Sequence, residues 1–578
     1  MKKIIIFISA AFITIFSSCD DFFDVEPKGS ISEEDYSLQI NNLRISMNAV
    51  YNLIQSEDFQ RSELIFGEAI SDNMYTRQDN MGSELTQLIN FQFNTENSYI
   101  LKKYEINYRG INLANQVISH VQNLKFNENY STGYQDVRYM LGQAKLMRAL
   151  FYFNLVRTYG GVTIQTEKST LSRTAIARSS TDEVYAYIEK DLREACLILY
   201  RDRFKEQNAG QAGIGAGLGM LMKVLAYQAS SGIKLQNPVR EQKWKEVCEI
   251  GELFIDGKST SYEKMLKFSE NYTESWDDLC KRLAMADMNV TPQTQIPGDV
   301  ANVHGLIDFN EIFRLKNKFN KELLWEINHY DYSSLGLDPN SVDEKNKLYV
   351  CLTENESQYI GVAPTQNLME MKDSDPRGLY TVAPDTNTDF FLDSNGNRAS
   401  LTWFNIAGGW VFSKYMVYPN EGVVADRNYI IMRYAEALLF YAEALNESDN
   451  QIRATEVLNK VRARAAKLIT SECPDSKYNK CLSCPLYNVM PYQEVKKNIQ
   501  YERRIELAAE FDRWYDIVRL DIVNERMTWM AKNNAPDKNS GRPRWRGKYF
   551  KRGVNEIFPI PQQEVTISNG VITQNFGY

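Results

Sequence analysis

The sequence predicts a mainly α-helical protein: a scaffold of tetratricopeptide-like helix pairs that carries long irregular insertions and a few short strands. Three observations lead there. Apolar residues recur at helical spacing along most of the chain. The helical stretches come as hairpins with alanine at contact positions, which lets two helices approach closely. Between them, residues of roughly 56–97 and 257–428 are rich in Asn, Asp, Gly, Pro and aromatics and lose the period. The 578 residues far exceed the ~150 of an ordinary domain. Helix-pair repeats grow as one body, however, and 32–578 is read as a single one.

The chain opens with Lys2 and Lys3, then an almost unbroken apolar run from Ile4 to Phe16. That run falls short of the roughly 20 residues a spanning helix needs and suits a signal peptide. It ends at Phe16-Ser17-Ser18-Cys19, small residues before a cysteine, with Phe16 where an aliphatic residue is usual. The pattern resembles a bacterial lipoprotein box. Residues 1–18 are expected to be removed and Cys19 to be acylated, each buried methylene adding about 0.8 kcal/mol of anchoring. Residues 19–31 read as a tether, acidic at Asp20, Asp21, Asp24 and Glu26 and closed by Pro27 and Gly29, leading to a first helix near Ser32.

Met140, Ala144, Met147, Phe151 and Leu155 mark a helix that Gly160-Gly161 stops. Thr181 is the expected cap of its partner, which runs through Val184, Ile188 and Leu192. A second hairpin covers Gly213 to Ile255. Its glycine-rich opening, Gly213 to Gly219, looks like a phosphate cradle, but no strand pattern precedes it and no lysine closes it. Those glycines are read as helix contacts. A third hairpin spans Tyr429 to Ala466: Ile431, Tyr434, Ala435, Leu438, Ala442 and Leu445 face Ala454, Val457, Leu458 and Val461 across the turn Glu447-Ser448-Asp449-Asn450. A short strand is expected around Val411 to Val417.

Further on, Glu502, Arg503, Arg504, Glu506, Glu510, Asp512, Arg513, Asp516 and Arg519 alternate in sign along helices. Two carboxylates there could serve acid–base catalysis. The structural reading is preferred, because neighbouring arginines keep carboxylates ionised and pair with them in two-bond forks. Arg433, Glu436 and Glu443 are expected to tie the late hairpin to its neighbours.

Several function classes drop out. The net charge of −8, two units more negative without Lys2 and Lys3, repels phosphate backbones, so nucleic acid is not an expected partner. The basic stretch Arg542, Arg544, Arg546, Lys548, Lys551 and Arg552 is read as a solvated loop. Beyond Cys19 the cysteines are odd in number, against a complete disulfide framework. Cys196 and Cys248 sit in apolar helical patterns and are read as core. Cys473, Cys481 and Cys484 contain half a zinc site with no second pair and no nearby histidine, so a local disulfide is preferred to a metal. Calcium stays open among the acid-rich loops, but no loop has the EF-hand pattern, and no metal site or cofactor is assigned. The three histidines, His120, His304 and His329, stand in no metal spacing, and no Gly-x-Ser-x-Gly elbow occurs. The chain is expected not to be an enzyme, although the two carboxylates of a glycosidase could be drawn from any such number of acids.

Eight segments in order carry a family resemblance: "SSCDDFFDVEPKG", "INLANQVI", "GQAKLMRALFYFNLVRTYGGV", "SSTDEVYAYIEKDLREA", "YIIMRYAEALLFYAEALNE", "VLNKVRARA", "YERRIELAAEFDRWYDIVR" and the terminal "IFPIPQQEV…ITQNFGY". The chain resembles the SusD/RagB family of outer-membrane lipoproteins along nearly its whole length. The resemblance implies about four tetratricopeptide-like pairs and a binding surface built from loops. It further implies a SusC-like, TonB-dependent transporter as partner, with oligosaccharides, or in some branches peptides, passed into its barrel. The acids after Cys19 resemble a surface-export signal, and the protein is expected on the cell exterior, held to the outer membrane by its lipid.

Sugar rings offer apolar C–H faces for aromatic side chains and hydroxyls that need polar partners. The loops that the resemblance points to supply both. The first offers Asp72, Asn73, Tyr75 and Arg77, with Asp79 and Asn80; the second offers Trp276, Asp277, Tyr330 and Tyr332, with Asp278, Asn328, His329 and Asp331. Trp325, in "KELLWEI", is read as core. Tyr359, Trp403 and Trp410 stay open between core and site. Peptide binding and a non-catalytic adhesion scaffold remain as alternatives.

Overall fold

The protein was analysed as a computed structural model, which describes residues 33–76, 83–124, 134–168, 175–199, 210–261, 264, 295–296, 298–329, 362–371, 374–384, 391–392, 398–399, 410–415, 427–469, 483–533 and 547–578. Cys19, Arg77, Trp276, Asp277, Tyr330, Tyr332, Tyr359, Trp403, Cys473 and Cys481 lie outside the described residues.

The described chain is mainly helical. Its first half runs α1 (Glu33–Gln55), α2 (Glu57–Leu64), α3 (Glu84–Ile89), α4 (Ser98–Asn123), α5 (Tyr134–Tyr159), α6 (Thr181–Ile198), α7 (Ile214–Ala229) and α8 (Arg240–Phe254). After the middle insertion, which holds α9 (Gln366–Met371), come α10 (Tyr434–Glu447), α11 (Gln451–Ala466), α12 (Tyr492–Leu507), α13 (Arg513–Arg519), α14 (Val523–Asn533) and α15 (Gln562–Ile567). Sequential helices pack as antiparallel neighbours from α4 through α8, and α10 joins both α8 and α11. The apolar stripes meet inside: Ala144, Met147, Phe151, Leu155, Val184, Ile188, Leu192, Leu438 and Val457 all lose their solvent exposure. Burying each large side chain stabilises the fold by about 1.5–3 kcal/mol.

The glycines of α7 do what close packing asks. A Cβ on Gly217 would stand 2.8 Å from the Cys196 sulfur of α6, and Gly219 is held against Leu324 and Met432. Cys196 is a buried core thiol and Cys248 a half-buried one. Cys484 is a free, buried thiol among the described residues.

Strands occur among the described residues only as two-stranded antiparallel ribbons. The ones that matter below are β1 (Met74–Thr76), β2 (Leu323–Ile327), β3 (Val362–Pro364), β4 (Val382–Pro384), β5 (Trp410–Phe412) and β6 (Tyr429–Arg433). β1 pairs with β3, β2 with β6, and β4 with β5. Trp325, at 1% exposure on β2, is core. The expected strand near Val411 is β5.

Three expectations shift. The late hairpin does not begin as helix at Tyr429: Tyr429-Ile430-Ile431-Met432-Arg433 is β6, and the helix starts at Tyr434. A run of β-branched and aromatic residues pairs with Leu323–Ile327 before the alanine-rich segment begins. The cap of α6 is Ser180, one residue before Thr181; its hydroxyl accepts from Glu183 N while Glu183 accepts from Ser180 N. About half of the described residues in 56–97 are helical rather than loop, in α2, a π-helical turn and α3. α2 runs into a π-helical turn, Ile65–Ala69, in which Ile65, Phe66 and Ala69 are buried. The run Leu64 to Ile70 is apolar on all sides but for Glu68, so it shows no period to find.

Candidate ligand-binding site

The two insertions read as ligand loops meet each other. In the β1–β3 ribbon Met74 faces Pro364, Tyr75 faces Ala363 and Thr76 faces Val362. Thr365 N donates to Asn73 O and Thr365 Oγ1 donates to Asp72 O, both at 2.8 Å. Beneath this junction three scaffold arginines converge. Arg513 donates Nε to Asp72 Oδ1 at 2.8 Å and Nη2 to Oδ2 at 3.1 Å. Arg526 donates Nε to Asp72 Oδ2 at 2.6 Å. Arg504 approaches the same carboxylate at 3.3 Å and donates Nε to Asn73 Oδ1 at 3.0 Å. Asn367, at the start of α9, accepts through one oxygen from both Arg504 Nη1 and Arg526 Nη2. One cluster therefore holds residues from both insertions on α12, α13 and α14.

Burial alone would raise the Asp72 carboxyl, but Arg504, Arg513 and Arg526 outweigh it and hold it well below the usual range. Burial pushes Arg504 down to about 9; Asp72 opposes this, while Arg513 and Arg526 reinforce it. Glu68, in the π-helical turn, accepts from Asn73 Nδ2 at 2.8 Å and from Ala509 N at 3.0 Å. Burial pushes its carboxyl up to about 7 against those hydrogen bonds and Arg513. Ala509 and Phe511 both take positive φ, 66° and 67°, in the turn that carries Ala509 N to Glu68. Gly67 permits this approach, since a Cβ there would fall on the Phe511 carbonyl. Such backbone costs about 1–3 kcal/mol per residue and persists because the surroundings over-determine it.

Asp72 and Asn73, read as ligand contacts, are both at 0% exposure with their polar atoms engaged in this cluster. Tyr75 lies on β1, paired with Ala363 of β3. His329 is buried and shares 2.8 Å with Gln60 Nε2, and its backbone N donates to Asn428 Oδ1 at 3.0 Å. The cluster residues that sequence reasoning passed over are Thr365, Asn367 and Arg526. Local sequence holds no signal for them, since their partners lie hundreds of positions away.

The middle insertion is fastened a second time. Arg377, at 0% exposure, forks onto Asp375 at 2.8 and 2.7 Å and reaches Glu506 at 2.9 Å and Glu502 at 2.7 Å. Arg462 joins Asp375 at 2.8 Å, and Lys414 donates to Glu510 and to the carbonyls of Glu506 and Ala508. Arg433 bonds Glu322, Glu506 and Glu510, Glu443 takes Arg519 and Glu436 takes Lys223. The charged segment from Glu502 to Arg519 is thus a buried structural lattice. Against burial, Arg464, Arg433 and Arg377 hold Glu506 below the usual carboxylate range.

Comparison with known proteins fits this arrangement. Residues 326–578 match the SusD family model, and residues 21–214 match the model described as "Starch-binding associating with outer membrane". The chain belongs to the SusD/RagB family. A SusD-like protein of Formosa agariphila is 24% identical over 549 residues, covering 91% of this chain and 94% of its own. Among solved structures, a SusD homologue of Bacteroides thetaiotaomicron superposes with a TM-score of 0.67 at 20% identity over 93% of this chain and 97% of its own. A laminarin-binding SusD-like protein gives 0.61 at 22% identity over 93% and 99%. At these identities the SusD likeness fixes the fold. Of these relatives, one is named for the laminarin it binds.

Proposed function

We propose that the protein is a surface lipoprotein, held to the outer membrane through acylated Cys19, that binds oligosaccharides and delivers them to a SusC-like, TonB-dependent transporter. The observation that carries the reading is the junction at β1–β3. Two insertions, far apart in the chain, are stitched into one surface and clamped from below by buried arginines. A ligand that meets such a surface does not have to order the loops, which raises affinity by lowering the entropy cost of binding. The laminarin-binding relative of the same fold supports a carbohydrate as the ligand.

On this reading Tyr75, Arg77, Trp276, Asp277, Tyr330 and Tyr332 contact the ligand, and Asp72 and Asn73 hold the first loop in place beneath it. Calorimetry of the mature protein against panels of purified oligosaccharides and peptides tests it. Binding of an oligosaccharide, weakened by Trp276→Ala or Tyr330→Ala with an unchanged melting temperature, is the expected result. Retention of peptides alone would replace the ligand class, and unchanged affinity in both variants would remove the second loop from the site.

A further inference from the structure

One pair of side chains at the junction has a job left over. Arg526 lies on α14 with 18% of its side chain exposed. Its Nε is spent on Asp72 Oδ2 and its Nη2 on Asn367 Oδ1, at 2.6 and 2.9 Å. Nη1 finds no acceptor among the described residues. Two bonds on one edge fix the plane of the guanidinium, so the remaining donors point in a set direction before any ligand arrives.

Three positions on, Trp529 is half-buried, and the Arg526 guanidinium sits 5.4 Å from the centre of its ring. Trp325 and Trp514, by contrast, are fully buried with sealed indole N–H groups. The Trp529 N–H is not sealed and donates to no described group. Arg526 and Trp529 thus present unspent N–H donors and an aromatic surface at the place where both insertions meet.

We propose that Arg526 and Trp529 form a ligand subsite on the C-terminal part of the scaffold, taking one pyranose unit of an oligosaccharide. The sugar's apolar face lies against the indole, and a hydroxyl or carboxylate oxygen on the same ring accepts from Arg526 Nη1. Three arginines stand around the single carboxylate of Asp72. A guanidinium N–H can only donate, so this spot takes an oxygen acceptor rather than a donor. The subsite rests on the oligosaccharide reading above and adds to it a wall that neither insertion supplies.

The test uses the mature full-length protein and an array of neutral and uronate-bearing oligosaccharides. The member retained best is then used in hydroxyl-radical footprinting of the wild type and in calorimetry of variants. The expected results are protection of Trp529 by the sugar, an affinity about tenfold weaker in Trp529→Ala, and a loss in Arg526→Lys, which keeps the charge but not the fork. Trp529→Phe, which keeps the packing, covers the case in which the alanine variant does not fold, and it too is expected to bind more weakly. A sugar that binds the wild type while leaving Trp529 unprotected and both tryptophan variants at full affinity overturns the subsite alone. Retention of no oligosaccharide by the wild type overturns the oligosaccharide reading and the subsite with it.

Discussion

The Asp72 carboxylate and the Arg513 guanidinium, 441 positions apart in the chain, meet in a fork of 2.8 and 3.1 Å with neither side chain more than 6% exposed. A fork of this kind is costly to break from one side. Asp72→Ala leaves Arg504, Arg513 and Arg526 facing one another without their shared counter-ion. Removal of one partner of a buried pair typically costs about 3–5 kcal/mol, and urea denaturation of the variant at neutral pH is expected to show a loss of that order. A variant as stable as the wild type would mean that the cluster holds nothing together.

Glu68 gives the junction a pH dependence of its own. Its carboxyl is pushed up to about 7 in the folded protein by burial, above the value of about 4.3 in an unfolded chain. The folded state therefore keeps the proton that the unfolded state releases. The stability this contributes is complete below about pH 4 and is lost as pH rises through about 7. Glu68→Gln imitates the protonated form at every pH. It is expected to melt higher than the wild type at about pH 8, by ~1–3 kcal/mol of stability, and close to it at about pH 5. Equal differences at both values would remove Glu68 as the titrating group.

The Glu506 carboxylate behaves in the opposite sense. Arg464, Arg433 and Arg377 overcome its burial and hold it below the ordinary range. Its contribution is present above about pH 4 and is lost only as pH falls through the lower folded value. Glu506→Gln is thus expected to cost several kcal/mol at neutral pH and progressively less in acid. Denaturant titrations from about pH 7 to about pH 3 would show the wild-type and variant curves drawing together. Curves that stay parallel would contradict the assignment.

On the lipoprotein reading proposed above, Cys19 carries the address. With the thiol replaced, Cys19→Ser has no site for acylation, and the apolar anchoring of about 0.8 kcal/mol per methylene is gone. Fractionation of cells is expected to move the variant from the membrane to the soluble fraction. A variant that stays with the membrane would set the lipoprotein reading aside.

What the sequence disclosed and what it hid divide by range. Periodicity at Met140 to Leu155 and at Ala435 to Leu445 is a property of neighbours three and four apart, so the helices that these residues stabilise were legible. Trp325 is legible as core for a different local reason, since an aromatic residue inside the short apolar run Leu323-Leu324-Trp325 is usually buried. The β6 strand was missed because Ile431 and Tyr434 also fit a helical stripe, and only the distant Leu323–Ile327 segment decides for extended chain. The cap at Ser180 was misplaced by one residue, since Thr181 has equivalent chemistry. The junction could not be read at all. Asp72 and Asn73 have the amide and acid groups a sugar site needs, and nothing near them in sequence announces Arg504, Arg513 or Arg526. Polar residues in a stretch without clear periodicity read as ligand contacts, whereas the partners of Asp72 and Asn73 are internal.

The two arginines that share one side-chain oxygen make Asn367 the most informative position in the cluster. Its side-chain oxygen already receives Arg504 Nη1 and Arg526 Nη2, so the geometry of an acceptor is in place and only its charge is missing. Asn367→Asp places a carboxylate against the guanidinium groups of Arg504 and Arg526 and strengthens both hydrogen bonds, which carry charge on both partners and not on the donor alone. The side chain is only half-buried, so the desolvation it incurs is modest. A gain of about 1 kcal/mol in stability is expected, read as a rise in melting temperature that shrinks in high salt. Asn367→Leu keeps the volume, removes the acceptor and is expected to lower it. If the aspartate melts below the wild type, the carboxyl groups already acting on these arginines, Asp72 and Glu68 on Arg504 and Asp72, Asp516 and Glu68 on Arg513, leave no room for another.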